Sequence, residues 1–207
     1  MNLYSYIITR DYGFAPNPFP PYCTLATCKP RIRLSAQIGD WVVGIGSGAQ
    51  NSTLKNRLIY AMQVEEKLSY DKYWETNRFQ YKKPVMNGSK RQKYGDNVYH
   101  TSNETGKFMQ EDSHHSLDNG IVNVLNYDRD LGGKYVLISR KYWYFGKDAQ
   151  YLPNYLLELA NVVRNHKAIR DQNLIDDFER WLMAFPESGY IGSPYLFRKD
   201  FERYSGK

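Results

Sequence analysis

The sequence predicts an α+β fold, built as a small mixed β-sheet or β-barrel followed by C-terminal helices. Short apolar and β-branched runs dominate the first two thirds of the chain, which is typical of strands. Helical periodicity is strongest in the last quarter. The 207 residues are 42% hydrophobic and 24% charged. A chain of this length can bury one core, so we expect a single domain over residues 1–207.

The composition also excludes several classes of protein. The charged fraction is average for soluble proteins and argues against wholesale disorder. No apolar run is long enough to cross a bilayer, and the first residues lack the basic region of a signal peptide. Cys23 and Cys28 are too few for a disulfide scaffold or a four-cysteine zinc site, which indicates a reducing, cytoplasmic compartment. We predict no metal, no cofactor and no membrane partner.

The N-terminal half alternates predicted strands with proline- or glycine-rich connections. Residues 3–9 are apolar, aromatic and β-branched. Four prolines and a glycine within residues 11–21 exclude a helix or an interior strand. Ser69 is a suitable N-cap for a helix. The predicted elements are a strand at 3–9, a loop at 11–21, a short strand at 23–28, a helical turn at 30–37, strands at 41–46 and 57–65, and a short helix at 70–77.

The second half is predicted to contain three more strands and the main helices. Apolar, β-branched residues flank Asp128–Gly133, which predicts two strands around a turn. Pro153 suits the first turn of a helix. Apolar residues from Leu174 to Phe185 recur at helical spacing and are followed by Pro186. The predicted elements are strands at 96–100, 121–126 and 134–139, and a helical C-terminal part at about 152–186.

A polar, aperiodic insertion is predicted at about residues 78–118, and its first part, Arg78–Gly95, carries the whole excess of positive charge. The chain has 28 basic and 22 acidic residues, a net charge of +6, and six of the basic residues lie between Arg78 and Gly95 without any acid. Such a segment can neutralise phosphates, and the aromatic residues within it can stack on bases. The alternative is a solubilising loop. The candidate phosphate-binding residues are Arg10, Lys82, Lys83, Lys90, Arg91 and Lys93.

Aromatic residues make up 15% of the chain, and 19 residues are tyrosines. The four consecutive aromatics Tyr142–Phe145 must point to both faces of an extended chain, so two can fill the core and two can contact a flat ligand. Packing of the whole group in the core explains the pattern equally well. The candidate base-stacking residues are Tyr12, Phe14, Trp41, Trp143 and Tyr144.

Gly44–Ala49 matches the loose form of the dinucleotide-binding fingerprint. That fingerprint requires a helix whose N-terminus faces the pyrophosphate. Only residues 50–56 separate the glycines from the next predicted strand, and they show no apolar stripe. We therefore interpret the glycines as part of a tight connection between strands or of a close backbone approach to a ligand.

Neither cysteine has an evident base partner in the sequence. His100, His114, His115 and His166 show none of the paired spacings typical of metal sites. Structural thiols are therefore the favoured interpretation, with a catalytic cysteine as the alternative.

Glu111–His115 is the densest group of titratable side chains in the chain. Carboxylates beside imidazoles suit acid–base chemistry or metal binding. We favour a solvated loop, because neighbouring residues on an extended chain point in opposite directions and the composition is that of a loop. If the protein is an enzyme, the expected site residues are Arg10, Asp11, Cys23, Glu111, Asp112, His114 and His115.

Several stretches resemble a known family. Residues 3–19, 23–30 and 39–44 strongly resemble the nucleotide modification associated domain 2 family, and residues 136–139 with 144–146 are similar to a later stretch of it. The resemblance implies an association with modified-base DNA systems of phages and bacteria. It implies no particular catalytic residues.

A fainter similarity concerns the fold. The turn Gly39–Asp40 into a strand, and the strand at 58–64 that leads into the helix at 70–74, are similar to the PUA-like group, which includes the EVE, ASCH and YTH domains. This similarity implies a small β-barrel that holds a modified base in an aromatic-lined pocket. The basic insertion and the C-terminal helices depart from the compact form of that group.

Together these observations favour a module that recognises nucleic acid or a modified nucleotide. It would bind an extruded base between aromatic rings and hold phosphates with the basic insertion. One alternative is an enzyme that acts on a base or nucleotide in a DNA modification pathway, and another is a protein-interaction scaffold. DNA or a modified nucleotide is the expected partner, with other proteins of a base modification system as further partners.

Overall fold

The computed structural model describes residues 1–48, 52–163 and 165–206. The helices are α1 (Pro30–Ser35), α2 (Tyr70–Glu75), α3 (Lys90–Lys93), α4 (Val124–Leu131) and α5 (Gln172–Met183). The strands are β1 (Leu3–Ile8), β2 (Cys23–Leu25), β3 (Trp41–Gly46), β4 (Arg57–Gln63), β5 (Glu66–Ser69), β6 (Tyr99–Thr101), β7 (Phe108–Gln110), β8 (Tyr135–Ser139), β9 (Tyr142–Tyr144), β10 (Gln150–Tyr151), β11 (Lys167–Ile169) and β12 (Gly189–Tyr190). Short 3₁₀ segments include Asn77–Lys82 and Asn154–Ala160.

The strands form one large mixed sheet and two small antiparallel sheets. The seven-stranded sheet has the order β11-β1-β3-β4-β9-β12, and β10 pairs with β4. Strand β1 runs parallel to β3, and β12 runs parallel to β9, while the other pairs in this sheet are antiparallel. The small sheets have the orders β2-β8-β5 and β6-β7. The predicted α+β class with a mixed sheet is confirmed, and the described strands do not close into a barrel.

Three clusters of buried side chains form the core. One lies on the face of the large sheet that carries Trp41, Val43 and Ile45, against α5. The second lies on the opposite face, against α1 and the small sheet that contains Leu137. The third is mostly aromatic and packs on the other side of β8, where Val136 points. Because side chains alternate along a strand, β3 and β8 each contribute to two clusters.

The glycine-rich connection between β3 and β4 has the packing role that its spacing indicates. The two strands are antiparallel neighbours, and the described part of the connection contains only a 3₁₀ turn at Ser52–Leu54. A side chain at Gly44 would collide with Ile8 and Tyr60. Ala49 and Gln50 of this region lie outside the described residues.

The structure confirms most of the predicted elements and corrects one that matters for the site. The first strand, the strands at 41–46 and 134–139 and the C-terminal helix are present. Ser69 caps α2 by accepting a hydrogen bond from the Lys72 amide. The prediction of a strand at 121–126 is wrong, because these residues enter α4, which continues through the expected turn to Leu131.

The basic segment contributes to the interior. Phe79, Tyr94 and Tyr99 belong to the aromatic cluster, and Lys82 and Asp96 are fully buried. The segment therefore combines solvent-facing cations with a buried, aromatic side.

Within the described residues, no helix has both the length and the apolarity needed to cross a bilayer.

We expect Trp41→Ala to lower the free energy of unfolding by about 3–5 kcal/mol, as is usual when a large core side chain is truncated. Trp41 is fully buried against Trp143 and Phe178, and its Nε1 donates a 2.6 Å hydrogen bond to Glu179. Urea unfolding measures the loss, with the exposed Tyr155→Ala as the control. An unchanged unfolding midpoint for Trp41→Ala would contradict this packing.

Candidate functional site

A pocket of about 550 Å³ opens at the carboxyl end of β1. We call it the Cys28 pocket. It is lined by Tyr6, Ile7, Ile8, Thr9, Arg10, Tyr12, Phe14, Ala15, Cys28, Lys29, Pro30, Arg31, His114, His115, Arg129, Asn165, His166 and Tyr204. Its size lies within the range typical of small-molecule sites.

Cys28 lies on the sharp turn that joins β2 to α1. Cys28 and Lys29 both adopt left-handed backbone angles, with φ of 56° and 39°. This conformation is uncommon for residues other than glycine and is frequent at functional sites. A strand-to-helix turn is also a position from which nucleophilic side chains project in several hydrolase folds.

His115 stands between Cys28 and Asp130. Its Nε2 lies 3.7 Å from the Cys28 sulfur, and its Nδ1 lies 2.6 Å from Asp130 Oδ2. The ring and the carboxylate are almost completely buried, whereas Cys28 is partly exposed to the pocket. A thiol, an imidazole and an orienting carboxylate in this order are the components of nucleophilic cysteine catalysis.

Asp130 is fixed by several donors on the inner face of α4. Its Oδ1 accepts a 2.8 Å hydrogen bond from the Cys28 amide, and its Oδ2 accepts a 2.9 Å bond from the Tyr99 hydroxyl. Arg129 Nε lies 3.5 Å from Oδ1. The same carboxylate therefore orients the imidazole and positions the backbone of the cysteine turn.

The charges of the three groups support one another. Burial raises the pKa of the Cys28 thiol, but the charge of His115 and its contact with the sulfur outweigh burial, so the net pKa is lowered. Burial disfavours the charged imidazole, yet Asp130 and Cys28 raise the pKa of His115 to about 9. Burial is likewise outweighed at Asp130, whose pKa falls to about 2 beside His115. The arrangement stabilises the thiolate of Cys28 and the imidazolium of His115 together.

The same three residues offer ligand atoms that lie within 4.8 Å of one another. However, the two nitrogens of His115 face different partners, and both oxygens of Asp130 already accept hydrogen bonds. An ion held by all three groups would have to displace the short contact between His115 and Asp130. The donor set therefore fits a hydrogen-bonded relay better than a metal centre.

The buried side chain of Arg33 in α1 links the two sides of the site. Its Nε donates a 2.7 Å hydrogen bond to the carbonyl of Cys28, and one terminal nitrogen donates a 2.6 Å bond to the carbonyl of Asp130. The other terminal nitrogen donates to the Tyr70 hydroxyl and the Tyr135 carbonyl. Arg33 therefore fixes the distance between the cysteine turn and α4.

The prediction that Glu111–His115 forms a solvated loop is wrong for the two histidines. His114 and His115 are 6% and 1% exposed, and both line the pocket with ring centroids 5.5 Å apart. They share this surface because residues 114–115 form a turn rather than extended chain. Burial and the charge of His115 lower the pKa of His114 to about 3, so this ring stays neutral.

The other residues of the expected enzyme site divide into two groups. Arg10 lines the Cys28 pocket with the two histidines. Cys23 is buried between the sheets and does not line the Cys28 pocket, and burial raises its pKa to about 12. Asp11 faces a different cavity and accepts hydrogen bonds from the Tyr144 hydroxyl and the Tyr195 amide.

The two remaining acids of that prediction contact other residues away from the Cys28 pocket. Glu111 Oε1 lies 2.8 Å from His100 Nε2. Asp112 accepts a 2.6 Å hydrogen bond from Arg203. Neither carboxylate lies beside Cys28 or His115.

The candidate stacking residues also fall into two groups, one at the Cys28 pocket and one in the core. Tyr12 and Phe14 line the pocket, and the Phe14 ring lies 4.6 Å from the ring of His115. Trp41, Trp143 and Tyr144 are buried in the core, since they lie on the central strands β3 and β9. A base could stack on these three rings only if the core opened.

Lys82 does not have the exposed position expected of a phosphate contact. It is fully buried, and its Nζ donates to Asn17 and to the carbonyl of Tyr22. Burial lowers its pKa to about 8. Lys82 points inward because it is the last residue of the 3₁₀ helix Asn77–Lys82, which buries Phe79 and Lys82.

The other basic candidates contact nearby groups of the protein. Lys83 lies 3.3 Å from the centre of the Trp74 ring, and Lys90 donates to the carbonyls of Phe197 and Lys199. The exposed Arg91 donates to the carbonyl of Pro20 and lies over the Phe19 ring, and Lys93 is half-buried. Phosphate binding by these four residues stays a prediction.

Sequence reasoning did not place Cys28, Asp130 or Arg33 in the candidate site. His115 is 87 residues from Cys28, and Asp130 is 102 residues from it. A correct prediction of α4 would have placed Asn126 and Asp130 on one buried face, four residues apart, and would have marked Asp130 as a buried acid in need of partners.

We expect the pH profile of Cys28 alkylation by iodoacetamide to have its inflection below the usual cysteine pKa of about 8.5, because His115 stabilises the thiolate. In His115→Ala, burial remains and the charge is lost, so the inflection should move above that value. Mass spectrometry of the modified protein across pH measures both curves. Cys23→Ala serves as the control background, and identical curves with and without His115 would refute the ion pair.

We expect Arg33→Leu to lower the free energy of unfolding by at least about 2–3 kcal/mol, because it leaves buried carbonyl oxygens without a donor. Arg31→Leu, an exposed substitution on the same helix, should change stability by less than about 0.5 kcal/mol. Urea unfolding of the two variants gives the comparison. Equal effects would show that Arg33 does not hold the site together.

Comparison with known proteins gives one match. The profile of the family described as nucleotide modification associated domain 2 matches residues 1–201. No curated protein and no solved structure gives a significant match. The family description associates the domain with nucleotide modification. Because the match spans nearly the whole chain, this protein belongs to the nucleotide modification associated domain 2 family.

Proposed function

We propose that the protein is a thiol-dependent enzyme that modifies a nucleotide or a base, with Cys28 as its nucleophile. The observation that carries the proposal is the imidazole of His115, which faces the Cys28 sulfur with one nitrogen and the buried Asp130 with the other. The family description supports the class of substrate.

Asp130 acts as the positioning residue. Its Oδ2 accepts a hydrogen bond from Nδ1–H of His115. This bond directs Nε2 toward the sulfur and stabilises the imidazolium. Its second oxygen holds the Cys28 amide, so the thiol and the imidazole are placed by one rigid group. Groups fixed in this way lose little entropy on reaching the reacting geometry.

The chemistry begins with attack of the Cys28 thiolate on an electrophilic carbon of the substrate. A sulfur–carbon bond forms, and the displaced electron pair moves onto the leaving or accepting atom of the substrate. The Nε2 proton of His115 is transferred to that atom, which leaves a neutral imidazole. The neutral ring then takes a proton from the water or second substrate that attacks the same carbon and releases the thiolate.

A module that only recognises a modified nucleotide is the second candidate. Tyr12, Phe14 and Tyr204 line the same pocket as Arg10 and Arg129, which is a combination suited to a flat anionic ligand. A recognition module has no need of a lowered thiol pKa or of a buried carboxylate that orients an imidazole. These two features favour the enzyme.

The test is turnover of nucleotides by the purified protein and matched variants. A panel of deoxynucleoside phosphates and single-stranded DNA is incubated with the protein, water or an added amine serves as the second substrate, and products are identified by mass spectrometry. We expect Cys28→Ala to reduce turnover by at least about 10³-fold and His115→Asn by at least about 10²-fold, as for other nucleophiles and general acids.

Cys23→Ala is the control, since it removes the other thiol without touching the pocket. It should retain the activity of the parent protein. Tight binding of nucleotides without turnover, unchanged in Cys28→Ala, would favour the recognition module over the enzyme.

A further inference from the structure

Basic side chains surround the nucleophile in the Cys28 pocket. They come from separate parts of the chain and are Arg10, Lys29, Arg31 and Arg129. No aspartate or glutamate lies among the described residues that line the pocket. With Cys28 as thiolate, His115 as imidazolium and Asp130 ionised, the pocket still carries an excess of positive charge. Like charges are gathered in this way where an anionic ligand is bound.

Two of the guanidinium groups are held by one aromatic ring. Arg10 and Arg129 each lie 5.2 Å from the centre of the Tyr204 ring. Arg129 also donates a 2.5 Å hydrogen bond to Asn126. Tyr204 itself is anchored through its backbone, whose amide donates to the His114 carbonyl at 2.7 Å. The two cations are therefore placed before any ligand arrives.

The other two cations, Lys29 and Arg31, approach the pocket from the cysteine turn and from the start of α1. Lys29 lies 4.6 Å from the centre of the Tyr6 ring and donates to the Asn165 carbonyl. Arg31 is exposed, and His166 is half-buried. Burial, and after it the charges of Arg31 and Lys29, lower the pKa of His166, so this imidazole is neutral at neutral pH and adds no charge to the pocket.

The position of these groups relative to Cys28 restricts the ligand. Lys29 follows Cys28 directly, and Arg129 precedes Asp130 on α4. An anionic group neutralised by them would lie in the same pocket as the carbon attacked by the sulfur. The phosphate of a nucleotide satisfies this requirement, whereas an uncharged nucleoside leaves the cations without a partner.

We propose that the basic wall of the Cys28 pocket, built from Arg10, Lys29, Arg31 and Arg129, binds the phosphate of a nucleotide whose sugar or base carries the carbon attacked by Cys28. This inference rests on the proposed function for the identity of the ligand. Arginine is well suited to the task because its planar fork can donate two hydrogen bonds to one phosphate.

The test is calorimetric binding to the Cys28→Ala protein, which lacks the nucleophile. Each of the four deoxynucleosides is compared with its 5′-monophosphate, and inorganic phosphate is titrated alone. We expect at least one monophosphate to bind at least tenfold more tightly than its nucleoside. This advantage of the monophosphate, the ratio of its affinity to that of the nucleoside, should shrink as salt is raised, because the contacts are electrostatic.

Arg10→Gln and Arg31→Gln in the same background should each reduce the advantage of the monophosphate severalfold. Arg180→Gln is the matched control, since Arg180 is exposed on α5 and pairs only with Asp177 among its described ion pairs. A single-stranded oligonucleotide distinguishes a free nucleotide from a nucleotide within a strand: stronger binding of the strand would assign the phosphate to DNA.

Equal affinity for nucleosides and monophosphates would overturn the phosphate site, and so would an unchanged advantage in both arginine variants. The absence of any binding would overturn it as well. Because the variant cannot react, these outcomes are independent of turnover. A phosphate-dependent affinity together with inactivity of the parent protein would reject the proposed function and retain the phosphate site.

Discussion

The buried carboxylate of Asp130 is the group on which the rest of the site depends. It accepts hydrogen bonds from His115, from the Cys28 amide and from Tyr99, while its own backbone carbonyl accepts from Arg33 and Tyr70. A buried charge is tolerated only when such donors replace water. Satisfying the carboxylate of Asp130 brings together the cysteine turn, β6, the histidine turn and α4, and satisfying its backbone carbonyl adds α1 and α2.

The same requirement joins stability to chemistry. Each partner that binds Asp130 also positions part of the candidate site, so a substitution that weakens the fold here also disturbs the contact between Cys28 and His115. Burial by itself would suppress the charges of Cys28, His115 and Asp130. Their mutual attraction in a region of low dielectric reverses that effect. A lone thiol such as Cys23, buried without an imidazole, shows the opposite result.

The large sheet and the site have separate tasks. The sheet and α5 form a regular core around Trp41, which needs no functional group. The pocket is made by irregular segments that cross the end of β1 and reach from Arg10 to Tyr204. Regular strands supply a rigid base, and connecting segments can combine residues that no single strand would bring together. This division explains why a recognition module and an enzyme are both compatible with the same sheet.

The sequence by itself determined the α+β class, the main strands of the large sheet and helix α5, because alternation and helical spacing are local patterns. It also identified Arg10, Tyr12, Phe14 and the histidine pair as site candidates by their residue types. Only the tertiary structure decided that Cys28 rather than Cys23 faces His115, and that residues 124–131 form a helix with Asp130 on its buried face. The acidic residues and glycines near position 130 are typical of a turn, and the helix is stabilised instead by contacts with residues far along the chain. Partners separated by 87 and 102 residues meet through the packing of whole elements, which no local pattern encodes.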